Sequence, residues 1–191
     1  ILNAVSGEDS LENCLVELSQ NIFLLSGGSG IKELQKINDY QRQHLLDQLN
    51  SMPMGFDYLI IDTAPGIDDN VLYLNSSVHE RNIVITPEPA SLTDSYALIK
   101  VLNKYHKVTK FSIISNFVRD EQEGLSLYKR LSDVTERFLN VSLDFKGSVP
   151  LDLSLRKATK AQQLVVLSSP HAVSSLGLKG IAKNIKNVND I

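Results

Sequence analysis

The 191-residue sequence has one cysteine, no tryptophan and no apolar run long enough to cross a membrane. A transmembrane helix needs about 20 consecutive apolar residues, so the sequence predicts none. The single cysteine, Cys14, excludes an intrachain disulfide and a metal site built only from cysteines. Because disulfides are rare in reducing compartments, this cysteine usage is typical of a cytoplasmic protein. Cys14 itself, at an apolar position, is expected in the core.

Excess positive charge is also missing. The chain has 19 basic and 22 acidic residues, a net charge of −3, which argues against bulk nucleic acid as the main partner. The lysines are scattered apart from Arg156-Lys157 and Lys160. The histidines show no spacing typical of metal ligands, and none lies at a predicted strand end, so we expect no catalytic role for them. They are His44, His79, His106 and His171.

A complete phosphate-binding loop is absent as well. The glycine-rich stretch Ser26 to Gly30 invites that interpretation, but a P-loop requires Gly-x-x-x-x-Gly-Lys-Ser/Thr. Here Gly30 is followed by Ile31 and Lys32, so the spacing fails. We therefore interpret the stretch as a strand-to-helix loop.

The most informative stretch that is present runs from Phe56 to Gly66. Four apolar residues, Tyr58 to Ile61, lead directly into Asp62, and Thr63-Ala64-Pro65-Gly66 ends the run. An apolar run without alternation predicts a strand buried on both faces of a parallel sheet. A carboxylate at the end of such a strand has the form of a Walker B motif, which helps to hold Mg²⁺ on a nucleotide phosphate. A buried strand ending in an ordinary aspartate-containing turn fits these residues equally well.

Apolar runs and helical periodicities alternate along the chain. Strands are predicted at residues 21–25, 58–62, 81–86, 110–115 and 141–149, and the pattern Leu11, Cys14, Leu15, Leu18 predicts an early helix. Further helices are expected after Asn38, which with Gln41 forms a capping pattern, near residues 71–74, from Ser91, along residues 127–138, from Asp152 and from Ser169-Pro170. This alternation predicts an α/β fold: a mostly parallel β-sheet with helices on both faces.

Ligands bind such sheets at the carboxyl ends of the strands. The chain places Ser26–Gly30, Asp62–Gly66, Thr86–Glu88, Asn116–Arg119 and Pro150–Asp152 at those ends. These five segments are the predicted ligand edge.

Four segments in this order resemble the MinD/ParA class of deviant P-loop ATPases. They are residues 56–66, residues 88–102, Ser115-Asn116-Phe117-Val118-Arg119, and residues 150–158; Val5-Ser6-Gly7-Glu8 also fits the pattern. The stretch Glu88-Pro89-x-Ser-x-Thr-Asp-x-Tyr-Ala-Leu-Ile-Lys100 is similar to the FlhG-type branch of flagellar-number regulators. The resemblance covers nearly the whole chain and implies a single ATPase domain over residues 1–191 with a P-loop NTPase fold.

The resemblance also implies roles for individual residues. Asp62 would be the Walker B carboxylate, acting on Mg²⁺ mostly through a bound water, and Gly66 would be the switch II glycine. Asn116 would contact the adenine ring. The other edge of the base would be wrapped by Pro150, Leu151 and Asp152. From the residues alone, Asn116 fits a turn-capping amide and Asp152 a helix cap equally well.

By the same resemblance, the intact protein would be an ATP-dependent switch that controls flagellar number or placement. It would hydrolyse ATP with Mg²⁺ in an ATP-sandwiched homodimer. Implied partners are an FlhF-type GTPase, flagellar switch proteins or a flagellar transcription activator. The family further implies peripheral membrane contact through a C-terminal amphipathic helix. In this chain Leu178, Ile181, Ile185 and Val188 have helical spacing between lysines, although such a helix more often packs on its own domain.

The chain departs from the family at its start. The Walker A loop with its two lysines and the switch I aspartate are not in the sequence, and no catalytic residue is identified. We expect these elements before Ile1, which would make the domain N-terminally truncated. We also expect these residues alone to bind ATP weakly or not at all, because the amides and lysines that hold phosphates are missing.

Other functions stay open. A nucleotide-independent interaction scaffold would use residues 88–102 as a docking face. A ParA-like DNA-partitioning protein would need a basic surface, so DNA is the weaker alternative. A relative of cobyrinic acid synthases would carry a glutaminase domain, which is not present in the sequence. Iron proteins of the same fold bind a cluster through several cysteines, which Cys14 alone cannot supply.

Overall fold

A computed structural model describes residues 9–26, 38–52 and 55–185. The chain divides into two compact units, residues 1–63 and residues 64–191. In the first unit, a 3-10 helix at Leu11–Cys14 leads into two strands, β1 (Leu15–Ser19) and β2 (Ile22–Leu25), which pair antiparallel.

The helix predicted across residues 11–18 is wrong beyond Cys14, since Leu15 begins a strand. Asn21 lies between the two strands with φ of 63°, the left-handed conformation that asparagine tolerates in tight hairpin turns. Pairing across this turn prevails over the helical spacing of the leucines. Val16 and Leu18 are therefore exposed, and Cys14 is only half-buried.

Helix α1 (Asp39–Asn50) begins as predicted. The side chain of Asn38 accepts from the backbone N–H of Gln41 at 2.9 Å, and the Gln41 side chain accepts from the N–H of Asn38 at 3.0 Å. This reciprocal capping box satisfies two amides that the first helical turn leaves without partners.

The buried strand predicted at residues 58–62 is wrong. None of these residues is in a strand, and Tyr58, Leu59 and Ile60 are 54%, 58% and 89% exposed. An apolar run becomes a strand only when neighbouring strands satisfy its backbone N–H and C=O groups. Among the described residues no strand pairs with this run.

The second unit contains the parallel sheet. Strands β3 (Asn82–Ile85), β4 (Lys110–Val118) and β5 (Ser142–Pro150) lie in the order β3-β4-β5, and both neighbouring pairs are parallel. Together with the helices that connect the strands, the sheet confirms the predicted α/β class with a parallel sheet.

Six helices are described in the second unit: α2 (Asp69–Ser77), α3 (Pro89–His106), α4 (Glu121–Phe138), α5 (Leu153–Lys160), α6 (Val165–Ser168) and α7 (Val173–Asn184). Two predicted starts are wrong. Helix α3 begins at Pro89 instead of Ser91, because the Ser91 hydroxyl accepts from the N–H of Thr86 instead of capping the helix. Helix α7 begins at Val173 instead of Ser169-Pro170.

The main core lies between the sheet and helices α3 and α4. Its buried side chains include Ile85 and Ile113 from the sheet with Ile99 and Leu127 from the helices. Helix α7 covers the opposite face of β5, since Ile181 lies 3.0 Å from the position that a side chain on Gly147 would occupy. Ile181 is thus buried against its own sheet, and Val188 of the same predicted stripe lies outside the described residues.

Candidate functional site

The structure brings four of the predicted site residues together at the carboxyl edge of the sheet. Asn116, near the end of β4, pairs with Val149 on β5, and Val118 pairs with Pro150. The N–H of Leu151 donates to the carbonyl of Val118 at 2.8 Å, which extends the contact beyond the strand. Asn116 and the segment 150–152 therefore lie side by side, where open α/β sheets bind ligands.

A local irregularity sets the position of the Asn116 side chain. The register between β4 and β5 shifts between Asn116 and Val118, and Phe117 adopts a left-handed φ of 56°. Its N–H donates to Oδ1 of Asn116 at 2.9 Å, so Asn116 does cap its own turn. Within the described residues, the Nδ2 group has no protein partner. The two donors of this amide are available to a ligand.

Exposed apolar side chains follow Asn116 in β4 and Pro150 at the end of β5. Phe117 is 48% exposed and Leu151 is 54% exposed. A planar ring system with hydrogen-bond acceptors on its rim is the type of ligand that suits apolar surface beside amide donors.

Asp152 is committed to the protein. Its Oδ1 accepts from the N–H of Ser154 at 2.7 Å, which caps α5. Its Oδ2 accepts from the N–H of Ser174 at 3.1 Å and from the Ser174 hydroxyl at 2.8 Å. The backbone hydrogen bonds from Ser174 and then Ser154, with the Ser174 hydroxyl, lower the pKa of Asp152 below its ordinary value. The helix-cap interpretation is therefore confirmed for this side chain, and only the main chain of Asp152 remains for a ligand.

Gly66 has φ of 108°, a conformation that side chains rarely adopt, while the space around it is open. Backbone geometry alone therefore favours glycine here. The turn leads into α2, whose first amides are capped by Asp68, which accepts from the N–H of Val71 at 2.9 Å. Gly66 thus lies in a sharp turn immediately before a helix.

Asp62 belongs to the first unit, and the other candidates belong to the second. Its side chain is exposed and, within the described residues, has no hydrogen-bond or ion-pair partner. The carboxylate is therefore available to a cation or to its water shell. In the described ranges no group of three His, Cys, Asp or Glu side chains is arranged to hold a metal ion. Two predicted features, Gly27–Gly30 and Val5–Glu8, lie outside the described residues.

An open cleft of about 430 Å³ lies beside the same edge of the sheet. It is lined by Pro87, Arg119, Asp120, Gln122, Glu123, Ser126, Leu127 and Arg130. The Arg119 side chain is largely exposed, and its Nε donates to Glu123 at 3.0 Å. The cleft takes residues from the predicted ends of β3 and β4, but it does not include Asn116.

Two features of this edge have only weak signals in the sequence. The left-handed Phe117 cannot be anticipated, because aromatic residues rarely adopt that conformation. Ser174 reaches Asp152 from 22 residues away in the sequence, which no local pattern encodes.

Comparisons with known proteins agree with this fold. The profile of the ParA family, described as NUBPL iron-transfer P-loop NTPase, matches residues 42–186. In structure, the chain is similar to the septum site-determining protein MinD complexed with Mg-ADP from Pyrococcus horikoshii. The TM-score is 0.72 at 20% identity, covering 98% of this chain and 73% of that one.

Two curated relatives match nearly the whole chain. The antiactivator FleN of Pseudomonas aeruginosa is 32% identical over 97% of this chain and 66% of its own length. The flagellum site-determining protein YlxH of Helicobacter pylori is 28% identical over 95% of this chain and 62% of its own length. The chain thus spans slightly less than two thirds of these relatives. Because the family profile matches most of its length, the chain belongs to the ParA family of P-loop NTPases.

Proposed function

We propose that this chain is part of an ATP-dependent switch of the MinD/FlhG type that controls flagellar number or placement. Family membership supports the nucleotide chemistry, and the name of the relative YlxH, a flagellum site-determining protein, supports the flagellar role. In the intact protein, ATP would be hydrolysed in a dimer that sandwiches the nucleotide, and residues 1–191 would form one domain.

One observation carries the proposal: the Asn116 amide lies beside the segment 150–152 at the carboxyl edge of the sheet. The Phe117 N–H occupies Oδ1, so Asn116 presents N–H donors, and the ring nitrogens of adenine are acceptors. Phe117 and Leu151 offer apolar surface to the faces of a planar base. These features suit a purine base better than a polar sugar or a peptide.

Fewer residues are proposed to contact Mg²⁺ and the phosphates than to contact the base. We assign Asp62 to Mg²⁺ through a bound water, because its carboxylate is exposed and has no partner within the described residues. Gly66 is assigned to the γ-phosphate side, since an open turn lets its backbone N–H approach an anion. When bound, Mg²⁺ would neutralise charge on the phosphates. Asp62 would orient the water of that ion.

The proposed partners are a second copy of the protein, an FlhF-type GTPase, flagellar switch proteins or a flagellar transcription activator. Peripheral membrane contact through the last helix is the weakest of these proposals, because Ile181 is buried against β5. No helix in the described ranges is both long and apolar enough to cross a membrane.

Phosphate release by the native gene product that contains these residues tests the proposal. We expect Asp62→Asn to lower ATP turnover by about 10- to 100-fold, as loss of groups around a metal ion typically does. Asp57→Asn is the matched control, because Asp57 is an exposed aspartate only five residues earlier in the same segment. Wild-type turnover in the Asp62 variant, or no phosphate release by the wild type, would reject the assignment.

A further inference from the structure

Residues 153–185 have a charge unlike the rest of the chain. This stretch, which forms α5, α6 and α7, contains no aspartate or glutamate and five basic residues. The remaining 14 basic and all 22 acidic residues lie elsewhere. Residues 153–185 therefore carry a net positive charge in an otherwise acidic protein, and their basic side chains lie on α5 and α7.

On α5 the basic residues share one face with a leucine. Successive helical residues are separated by about 100°, so Leu153, Arg156, Lys157 and Lys160 fall within an arc of about 100°. All four side chains are exposed, whereas Ala158 on the other side of the helix is buried. This face of α5 presents an apolar side chain and three positive charges to solvent.

Exposed apolar side chains continue onto α6 and α7. Leu164, immediately before α6, is 63% exposed, and Leu167 within α6 is 77% exposed. On α7, Val173 and Leu176 are 53% and 55% exposed. Lys183 lies on the same side of α7, since residues 173, 176 and 183 fall within about 80° of one another. We call the exposed side chains of these three helices the basic–apolar surface: Leu153, Arg156, Lys157, Lys160, Leu164, Leu167, Val173, Leu176 and Lys183.

Hydrogen bonds link α7 to the start of α5 and to α6. The Asp152 carboxylate holds the first turns of α5 and α7 together through Ser154 and Ser174. The Ser175 hydroxyl of α7 donates to the carbonyl of Val165 in α6 at 3.1 Å and to that of Ser169 at 2.7 Å. The first turns of α5, which begins at Leu153, and of α7, which begins at Val173, therefore bind the same carboxylate.

The cations of this surface have no partner in the described parts of the chain. No carboxylate of the described residues lies within salt-bridge distance of Arg156, Lys157, Lys160 or Lys183. Nearby Lys179 is different, because its Nζ donates to the carbonyl of Pro170 at 3.1 Å. Four unpaired cations beside exposed leucines can bind a partner without first breaking internal ion pairs.

We propose that the basic–apolar surface docks an acidic amphipathic helix of a partner protein. Leucines on that helix would cover the exposed Leu and Val side chains, while its carboxylates would pair with Arg156, Lys157 and Lys160. A lipid surface fits less well, because Lys157 and Lys160 share one face of α5 with Leu153, whereas helices that lie on a membrane keep basic and apolar residues on opposite faces. Residues 153–185 also lack the aromatic side chains that anchor interfacial helices.

Fluorescence anisotropy of a labelled peptide tests this proposal on the full chain. The probe is a designed helix with leucines at i, i+3, i+4 and i+7 and glutamates at most other positions. The control peptide has lysines in place of the glutamates. We expect the glutamate peptide to bind and the lysine peptide not to bind. The variant R156E/K157E/K160E should bind the glutamate peptide at least about 10-fold more weakly.

The control variant K104E/K110E/K129E makes the same change of net charge at three exposed lysines outside this surface, and its affinity should match the wild type. Leu167→Ser tests the apolar part, and its high exposure makes a loss of folding unexpected; it should also weaken binding. The proposal is wrong if the wild type does not bind the peptide, or if both charge variants bind equally.

Two further outcomes would replace the helix by another partner. If vesicles of phosphatidylglycerol sediment with the wild type but not with R156E/K157E/K160E, and the peptide does not bind, the surface is a lipid-binding one. If the wild type self-associates and that variant does not, the acidic partner is a second copy of this chain. Neither readout involves nucleotide, so failure here leaves the proposed ATP switch untouched.

Discussion

Asp152 accepts two hydrogen bonds from Ser174, one from its N–H at 3.1 Å and one from its hydroxyl at 2.8 Å. The residue at the end of β5 thus holds the first turn of α7, while its other oxygen caps α5. The segment proposed to contact the base is therefore also the joint that fixes two C-terminal helices. This connection leads to a prediction about stability.

Asp152→Ala should loosen both helix starts and lower the melting temperature by about 2–4 °C or more, because two capping interactions are lost together. Ser174→Ala removes only one hydrogen bond and should have a smaller effect. Differential scanning calorimetry of the two variants measures this. Equal melting temperatures for Asp152→Ala and the wild type would show that the cap does not stabilise the protein.

The same carboxylate predicts a pH dependence. The hydrogen bonds from Ser174 and Ser154 lower the pKa of Asp152 from its ordinary value of 3.8. A group with a lowered folded-state pKa stabilises the protein fully above its unfolded pKa and loses that contribution as the pH falls. Wild type should therefore lose more stability than Asp152→Ala between about pH 4 and pH 2, measured by urea unfolding at each pH. If the free energy of unfolding of the two proteins fell in parallel with pH, the stabilising role assigned to the Asp152 carboxylate would be wrong.

A second cluster fixes the other end of α7. Lys146, almost fully buried, lies 3.1 Å from Glu80 and 2.9 Å from Asp144, and its Nζ also donates to the carbonyl of Asn184 at 2.9 Å. Burial acts to lower the pKa of Lys146, but hydrogen bonds to Asp144 and Glu80 outweigh it, so the pKa is raised above 10.5. The side chain of Asn184 donates back to the carbonyl of Lys146 at 2.9 Å.

Lys146→Met should therefore lower the free energy of unfolding by about 1–3 kcal/mol, because the carboxylates and the helix-end carbonyl lose their partner. A raised pKa contributes stability below the unfolded value, and that contribution is lost as the pH rises through the folded value. Wild type should destabilise above about pH 10.5 more than Lys146→Met does. Asp144→Asn, at a largely exposed partner, is the milder comparison.

Close packing of small residues predicts a coupled pair of substitutions. A Cβ on Gly124 of α4 would lie 1.9 Å from the hydroxyl oxygen of Ser148 and 3.3 Å from the side chain of Ser115. Gly124→Ala should cost about 1–3 kcal/mol despite the better helix propensity of alanine. Urea denaturation measures the loss, and wild-type stability in this variant would show that α4 moves freely on the sheet.

Ser148→Ala should be neutral or slightly stabilising, because the Ser148 hydroxyl is buried without a hydrogen-bond partner among the described residues. In the double variant, the loss caused by Gly124→Ala should be reduced, since the closest clash is with the removed oxygen. Some loss of stability should remain, because the Cβ of residue 124 would still lie 3.0 Å from the Cβ of residue 148. Strictly additive effects would place the clash elsewhere.

Local patterns predicted the elements whose partners are near in sequence. The capping box of Asn38 and Gln41 is confirmed because both groups lie within one helical turn. Within the run predicted at residues 81–86, Asn82–Ile85 form strand β3, and all four residues pair with β4. The similar run at residues 58–62 is not a strand, since no described strand pairs with it. Periodicity reports side-chain preference, whereas a strand also requires a partner backbone.

In the candidate site, too, some features follow from the sequence and others depend on contacts between distant residues. That Asn116 and the segment 150–152 share one edge follows from strand order, so the sequence could predict it. The orientation of the Asn116 amide depends on the left-handed Phe117, a compromise between sheet pairing and the following turn. The start of α7 depends on Asp152, 22 residues before Ser174. Such long-range contacts prevail over the local signal of Ser169-Pro170.

Titration calorimetry with Mg–ATP on the native gene product is the most direct test of the central claim, that Asn116 helps to bind the base of a nucleotide. Asn116→Ala should weaken binding about 10-fold, the equivalent of one buried hydrogen bond of about 1.4 kcal/mol. Asn82→Ala, at an exposed asparagine that begins β3 at the other end of the sheet, should bind as the wild type does. Equal affinity of Asn116→Ala and wild type, or no ATP binding by the wild type, would contradict the account.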